Sequence, residues 1–92
     1  MKIYKLEKPN CSQCRMMEVF MQTAKGKEIS DNIEVLTQSK DKDKFLKYLG
    51  MATDQGYMSF PFIVAEDGTV LHAGPLDKPD YLIQKVKEFR DK

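Results

Sequence analysis

The segment from residue 60 to residue 73 places the strongest constraint on the fold, because it predicts a β-hairpin. Phe60–Ala65 is the most β-like stretch of the chain, rich in aromatic and β-branched residues. The four residues that follow, Glu-Asp-Gly-Thr, favour a tight turn, and Val70–Ala73 is again β-like. The sequence therefore predicts two antiparallel strands in the second half of the chain.

The first half of the chain alternates between strand and helix patterns. Residues 2–6 predict a first strand and residues 33–37 a second one. Between them, apolar residues recur every three or four positions from Ser12 to Lys25, which predicts one amphipathic helix that ends at Gly26. The charged run 40–44 predicts the solvated start of a short helix. Gly50 is expected to cap that helix, a loop follows over 51–59, and the buried stripe is formed by Phe45, Leu46 and Leu49.

A last helix is expected after Gly74 and Pro75. Asp77 is its predicted cap, Pro79 lies in its first turn, and its apolar positions are Leu82, Ile83, Val86 and Phe89. The predicted order is therefore β-α-β-α-β-β-α within one domain that spans residues 1–92. Two β-α units make the first strands parallel and the hairpin adds antiparallel strands, so we expect an α/β fold with a four-stranded mixed sheet flanked by helices.

Charge and hydropathy exclude several classes of function. Fifteen basic and fourteen acidic residues leave a formal charge of +1, so nothing draws the chain as a whole towards nucleic acid or an anionic membrane. The longest apolar stretch has six residues, whereas a membrane span needs about twenty. The first residues alternate charged and apolar side chains and lack the apolar core of a signal peptide. We expect a cytoplasmic, monomeric protein that binds neither membrane nor nucleic acid.

Two cysteines, Cys11 and Cys14, carry the chemical signal of the sequence. A disulfide that closes so short a loop removes little entropy from the unfolded chain, so stabilisation of the fold is a poor explanation for the pair. The spacing C-x-x-C at a junction between strand and helix is typical of a redox motif. Free N–H groups and the helix dipole at that junction favour an anion by about 0.3 to 2 kcal/mol, which lowers the pKa of a thiol.

The two cysteines are expected to have different roles. Cys11 lies at the start of the helix, where it would attack a substrate disulfide. Cys14 lies one turn further along the helix, on the same face as Met17 and Met21, where it would be buried and resolve the mixed disulfide.

Two other interpretations of these residues remain open. Half of a zinc site would need ligands beyond the two cysteines and His72, the single histidine of the chain, which is more simply a packing or surface residue. A non-catalytic binding module would use the methionines of the first helix, Met16, Met17 and Met21, as a partner surface. Titration of the dithiol and an insulin-reduction assay would separate this module from a reductase.

The sequence resembles the thioredoxin-fold redoxins, specifically the branch of the glutaredoxins and NrdH-redoxins. Residues 8–14, Lys-Pro-Asn-Cys-Ser-Gln-Cys, look like the K-P-x-C-x-Q-C site of NrdH-redoxins. Leu49-Gly50, Ser59-Phe60-Pro61 and Asp67-Gly68 are similar to the corresponding stretches of small phage and bacterial glutaredoxins. The resemblance implies a thioredoxin-like fold and a thiol-disulfide oxidoreductase that uses no bound cofactor and no metal.

The resemblance also implies a substrate-binding role for several residues. In that family the proline that matches Pro61 is cis and faces the cysteines, and the backbone that matches Phe60 pairs with the substrate. Lys8 matches a basic position that binds a carboxylate or steadies the thiolate. Ser59 and Gly74 belong to the same implied substrate-binding set.

The implied partners are protein disulfides, including that of ribonucleotide reductase. The implied reductant is either glutathione or a flavin-dependent thioredoxin reductase fed by NADPH. Glutaredoxins usually carry Gly-Gly where this chain has Ala73-Gly74, and a Cβ at Ala73 can obstruct the approach of glutathione. We therefore expect the flavoenzyme to be the faster reductant.

Overall fold

A computed structural model describes residues 1–92 as an α/β fold built on one four-stranded sheet. The strands are β1 (Ile3–Glu7), β2 (Ile33–Thr37), β3 (Phe62–Ala65) and β4 (Val70–Ala73). They lie in the order β2-β1-β3-β4, and β1 runs parallel to β2 but antiparallel to β3, which pairs antiparallel with β4. The mixed sheet expected from the sequence is confirmed.

Helices cover both faces of the sheet. They are α1 (Ser12–Met21), α2 (Ala24–Ser30), α3 (Lys42–Asp54) and α4 (Pro79–Arg90). One core cluster joins Ile3 and Ile63 of the sheet to residues of α1, α2 and α4, and the other joins Tyr4 and Phe62 to α3. Successive strand residues therefore enter opposite cores, as the two-residue period of a strand requires. None of the four helices has the length and apolar content of a membrane span.

The single helix predicted for residues 12–25 is wrong, because Thr23 divides it into α1 and α2. The Thr23 hydroxyl donates to the Phe20 carbonyl at 2.6 Å, at the end of α1. The same oxygen accepts from the Gly26 N–H at 3.1 Å and so caps α2. Gly26 lies inside α2 and does not end a helix. The apolar spacing continues across the break because both helices pack on the same core.

The third helix is longer than predicted and buries a different face. Gly50 lies inside α3, and the αL residue after the helix is Gly56, with φ of 95°. The Tyr57 N–H donates to the Ala52 carbonyl and the Gly56 N–H to the Thr53 carbonyl, which is a Schellman cap. Its buried residues are Phe45, Tyr48 and Ala52, whereas Leu46 is exposed.

Three boundaries also differ from the sequence prediction. Lys78, not Asp77, is the cap residue of α4, and its side chain makes no capping hydrogen bond. The third strand begins at Phe62, two residues later than predicted, because the turn at Pro61 comes first. The first strand is shifted by one residue and ends at Glu7.

Candidate redox site

The strand register gathers three separate segments at one edge of the sheet. Leu6 of β1 lies opposite Phe62 of β3, and Phe62 lies opposite Ala73 of β4. Because β1 ends where β3 begins and β4 ends, the segments after β1, before β3 and after β4 come together. These segments contain Cys11, Pro61 and Gly74, respectively, so residues far apart in sequence meet at this edge.

A tight turn carries the chain from β1 into α1. Asn10 has φ of 57°, a left-handed conformation that asparagine tolerates better than most residues. Cys11 is then extended and serves as the N-cap of α1, its sulfur accepting from the Cys14 N–H at 3.1 Å. A cysteine sulfur thus replaces the oxygen that usually caps a helix.

Cys11 and Cys14 form a disulfide, with their Cα atoms 5.3 Å apart. Cys14 is 5% exposed and lies beside the core methionines Met17 and Met21, whereas Cys11 is half-buried. One cysteine of the pair is therefore more exposed than the other, and the more exposed one is at the helix terminus.

The segment 59–61 lies against the cysteine loop. The Phe60–Pro61 peptide bond is cis, the isomer that the family resemblance implies, and Pro61 is fully buried. The Phe60 ring packs edge-on against Phe62 with ring centres 4.8 Å apart, and the Lys8 ammonium lies 5.1 Å from the centre of the Phe60 ring. Lys8, the loop that carries Cys11 and this segment therefore share one surface.

Gly74 supports this segment from behind. Its N–H donates to the Pro61 carbonyl at 3.0 Å, and its φ of 86° favours glycine. An added Cβ there would lie 3.3 Å from the Ser59 Cβ, so a larger residue would press on the Ser59–Pro61 turn. Gly74 is buried beneath the Ser59–Pro61 segment.

Two clefts flank Cys11. The cleft on the side of residues 58–60, named here the front cleft, holds about 410 Å³ and is lined by Lys8, Asn10, Cys11, Ser12, Gln13, Met58, Ser59, Phe60 and Pro75. The cleft on the outer side of α1, named here the back cleft, holds about 810 Å³ and is lined by Glu7, Lys8, Asn10, Cys11, Ser12, Cys14, Arg15, Glu18, Val19 and Gln22. Of the residues predicted for the site, Lys8, Cys11, Ser59 and Phe60 line the front cleft, whereas Cys14 lines only the back cleft and Pro61 and Gly74 line neither.

The ion pair near the cysteines was not predicted from the sequence. Lys5 is the single buried charged residue, and its ammonium pairs with the Glu7 carboxylate at 2.8 Å at the wall of the back cleft. Its inward position follows from the strand period once the bounds of β1 are known. Clearly shifted pKa values belong to groups outside both clefts, such as Tyr48, whose pKa is raised mainly by burial.

His72 and the methionines bear on the two other interpretations. The His72 Nε2 atom lies 2.8 Å from the Gly74 carbonyl oxygen, and no group of three or more His, Cys, Asp or Glu residues is arranged to hold a metal ion. Met17 and Met21 belong to the core and only Met16 of the three is exposed, so the methionine surface proposed for a binding module does not exist as such.

Comparisons with known proteins leave the function to be argued from the site. No protein-family model matches the chain. No curated protein matches it either. A solved structure described as "Structure of a malarial protein" is similar over 97% of this chain and 98% of its own, with 22% identity and a TM-score of 0.48.

Proposed function

We propose that this chain is a thiol-disulfide oxidoreductase of thioredoxin-like fold that reduces protein disulfides through Cys11 and Cys14. The observation that carries the proposal is the place of Cys11 as a helix cap, with the Cys14 N–H directed at its sulfur at 3.1 Å. In the reduced protein the same hydrogen bond acts on a thiolate, and hydrogen bonds to charged acceptors are about twice as strong as neutral ones. The element order supports a thioredoxin-like fold, because it matches the expected order β-α-β-α-β-β-α with one additional helix, α2.

The order of the reaction steps follows from the unequal exposure of the two cysteines. The Cys11 thiolate attacks one sulfur of the substrate disulfide, which forms a mixed disulfide and releases the other substrate sulfur as a thiolate that takes up a proton. Cys14 then loses its proton and attacks the Cys11 sulfur, which frees the second substrate thiolate and forms the Cys11–Cys14 disulfide. Two electrons pass from the dithiol to the substrate, and no metal or bound cofactor takes part.

The front cleft supports a binding site for an extended segment that carries the disulfide. It lies between the Cys11 loop and Phe60, and Lys8 supplies the one positive charge among the residues that line it. Main-chain groups of Phe60 can pair with such a segment in the manner of an added strand. Ribonucleotide reductase is one candidate substrate, and the protein would act in the cytoplasm as a monomer that thioredoxin reductase or glutathione reduces again.

Trapping of the mixed disulfide tests the two cysteine roles. Cys14→Ser should accumulate a covalent complex with an oxidised substrate such as insulin, because the resolving thiol is missing. Cys11→Ser is the matched control and should accumulate none. Wild-type protein should accelerate insulin reduction by dithiothreitol, whereas neither variant should complete the dithiol cycle. Trapping by Cys11→Ser alone would reverse the roles, and a wild-type protein without reductase activity would refute the proposal.

A further inference from the structure

Met58 is the most exposed large apolar residue of the protein. It is 77% exposed, and Met16 at 61% is the other exposed methionine, whereas Met17 and Met21 are buried. Single exposed apolar side chains are common, but Met58 belongs to a group. Tyr57 beside it is also exposed, and Phe60 and Pro75 line the same cleft.

Met58 lines the front cleft, which contains Cys11. Met58, Phe60 and Pro75 supply the apolar part of the lining, and Lys8 is the one charged residue there. A protein segment that brings its disulfide to Cys11 would cover these apolar side chains. Methionine suits such a surface because it is flexible and polarizable and adapts to partners of different shape.

We propose that Met58 is a site of reversible oxidation by peroxides, and that its sulfoxide weakens the docking of protein disulfides at Cys11. The second half of this inference rests on the proposed function. In the reaction the O–O bond of hydrogen peroxide breaks, one oxygen is transferred to the Met58 sulfur and the other leaves as water. The sulfur loses two electrons and the peroxide gains them. Enzymes that reduce methionine sulfoxide return the sulfur to the thioether at the expense of two thiols.

A sulfoxide weakens docking because it is polar and strongly hydrated. Covering it with an apolar partner removes its hydrogen bonds to water without replacing them, which costs binding free energy. We expect the KM for a protein disulfide to rise at least about fivefold, a change at the low end of that cost. The Cys11–Cys14 pair itself keeps its equilibrium with dithiols, since neither sulfur changes.

The experiment treats the disulfide form of the full chain with graded hydrogen peroxide. The disulfide lacks the reactive thiolate, so the two exposed methionines, Met16 and Met58, are the groups most accessible to peroxide. Peptide mass mapping should find Met58 oxidised at peroxide concentrations that leave Met17 and Met21 intact. After reduction, each sample's KM for insulin is compared with that of the same protein before peroxide, and graded redox buffers give the dithiol equilibrium.

Two variants assign the effect to one side chain. Met16→Leu removes the other exposed methionine and should still show the rise in KM, whereas Met58→Leu should show none. The inference is overturned if Met58 stays intact while Met16 is oxidised, if KM is unchanged with Met58 oxidised, or if Met58→Leu responds as wild type does. Absence of turnover before peroxide would refute the proposed function and the docking role of Met58 with it, while the mapping would still decide whether Met58 is the modified residue.

Discussion

Gly26 marks the closest approach between the two helices that follow the cysteine loop. An added Cβ at this buried position would lie 2.0 Å from the Phe20 carbonyl oxygen, 2.6 Å from the Met21 Cα and 2.7 Å from the Phe20 carbonyl carbon. All three are backbone atoms at the end of α1, so no side-chain rotation relieves the overlap. Gly26→Ala must therefore move α2 away from α1.

The size of this effect follows from the distances. A carbon and a carbonyl oxygen normally approach no closer than about 3.3 Å, so the overlap amounts to about 1.3 Å. Overpacking of a core costs about 1 to 3 kcal/mol and occasionally more, whereas alanine in a helix returns about 1 kcal/mol relative to glycine. A displaced α2 also strains the bond from the Gly26 N–H to the Thr23 hydroxyl. Because the overlap is with backbone atoms, the overpacking cost lies at its upper end of about 3 kcal/mol, and subtracting the gain of about 1 kcal/mol leaves Gly26→Ala less stable by about 2 kcal/mol.

Gly50 offers a matched control in the interior of α3. Apart from its chain neighbours and the backbone of its own helix, an added Cβ at Gly50 meets nothing within 4 Å, so Gly50→Ala should stabilise the protein by up to about 1 kcal/mol. Urea unfolding followed by far-ultraviolet circular dichroism measures both free energies of unfolding. If Gly26→Ala is as stable as wild type while Gly50→Ala shows the gain, the close approach of α1 and α2 does not constrain this position and the reasoning is refuted.

Three further predictions concern the reductant and two titrating groups. A flavin-dependent thioredoxin reductase should reduce the disulfide faster than glutathione does, in paired turnover assays at one protein concentration, and efficient reduction by the glutathione system alone would contradict this. Burial raises the pKa of Tyr48, so its contribution to stability is complete below the ordinary value of about 10 and is lost as the pH rises through the raised pKa. Urea unfolding between pH 9 and 11, a range set around that value of about 10, should therefore show a steeper loss of stability for wild type than for Tyr48→Phe, and parallel curves would argue against it. The Thr69 N–H donates to the Asp67 carboxylate at 2.9 Å, and this hydrogen bond lowers the pKa of Asp67. The stability that the bond gives is therefore present above the ordinary pKa of an aspartate and is lost as the pH falls through the lowered pKa. In urea unfolding at acid pH, Asp67→Asn should therefore lose less stability than wild type as the pH falls. An equal loss in both proteins would exclude this carboxylate as its source.

Local signals were sufficient for the bounds of β2 and β4 and not for those of the helices. Both Ile33–Thr37 and Val70–Ala73 were predicted with the observed bounds, because turn residues flank each of them. The break at Thr23 was missed because the apolar spacing continues through it, although a capping threonine was its available signal. Gly50 was predicted to cap the third helix, a role that Gly56 has in the structure. The prediction failed because a glycine inside a helix costs only about 1 kcal/mol, which packing elsewhere in the helix offsets.

The cysteine half of the site was easier to predict than its surroundings. Cys11 and Cys14 lie three residues apart beside a strand end, so the sequence alone places them on the first turn of a helix. The apolar lining of the front cleft depends on Met58 and Pro75, which reach Cys11 only through the packing of the whole sheet. The ion pair of buried Lys5 with half-buried Glu7 likewise could be predicted only once the bounds of β1 and the orientation of its side chains were known.

An irregularity in the hairpin connects the fold to the site. Ile63 lies opposite His72, whereas Val64 lies opposite Val70, so Leu71 is an extra residue on β4. Because of this bulge, Val70 and Ala73 pack against the same core although they are three positions apart, and Leu71 enters the other core. A regular strand would send the side chains of Val70 and Ala73 to opposite faces. The bulge thereby lets β4 keep Val70 in the core while Ala73 pairs with Phe62, which is the pairing that brings Gly74 to the Pro61 carbonyl.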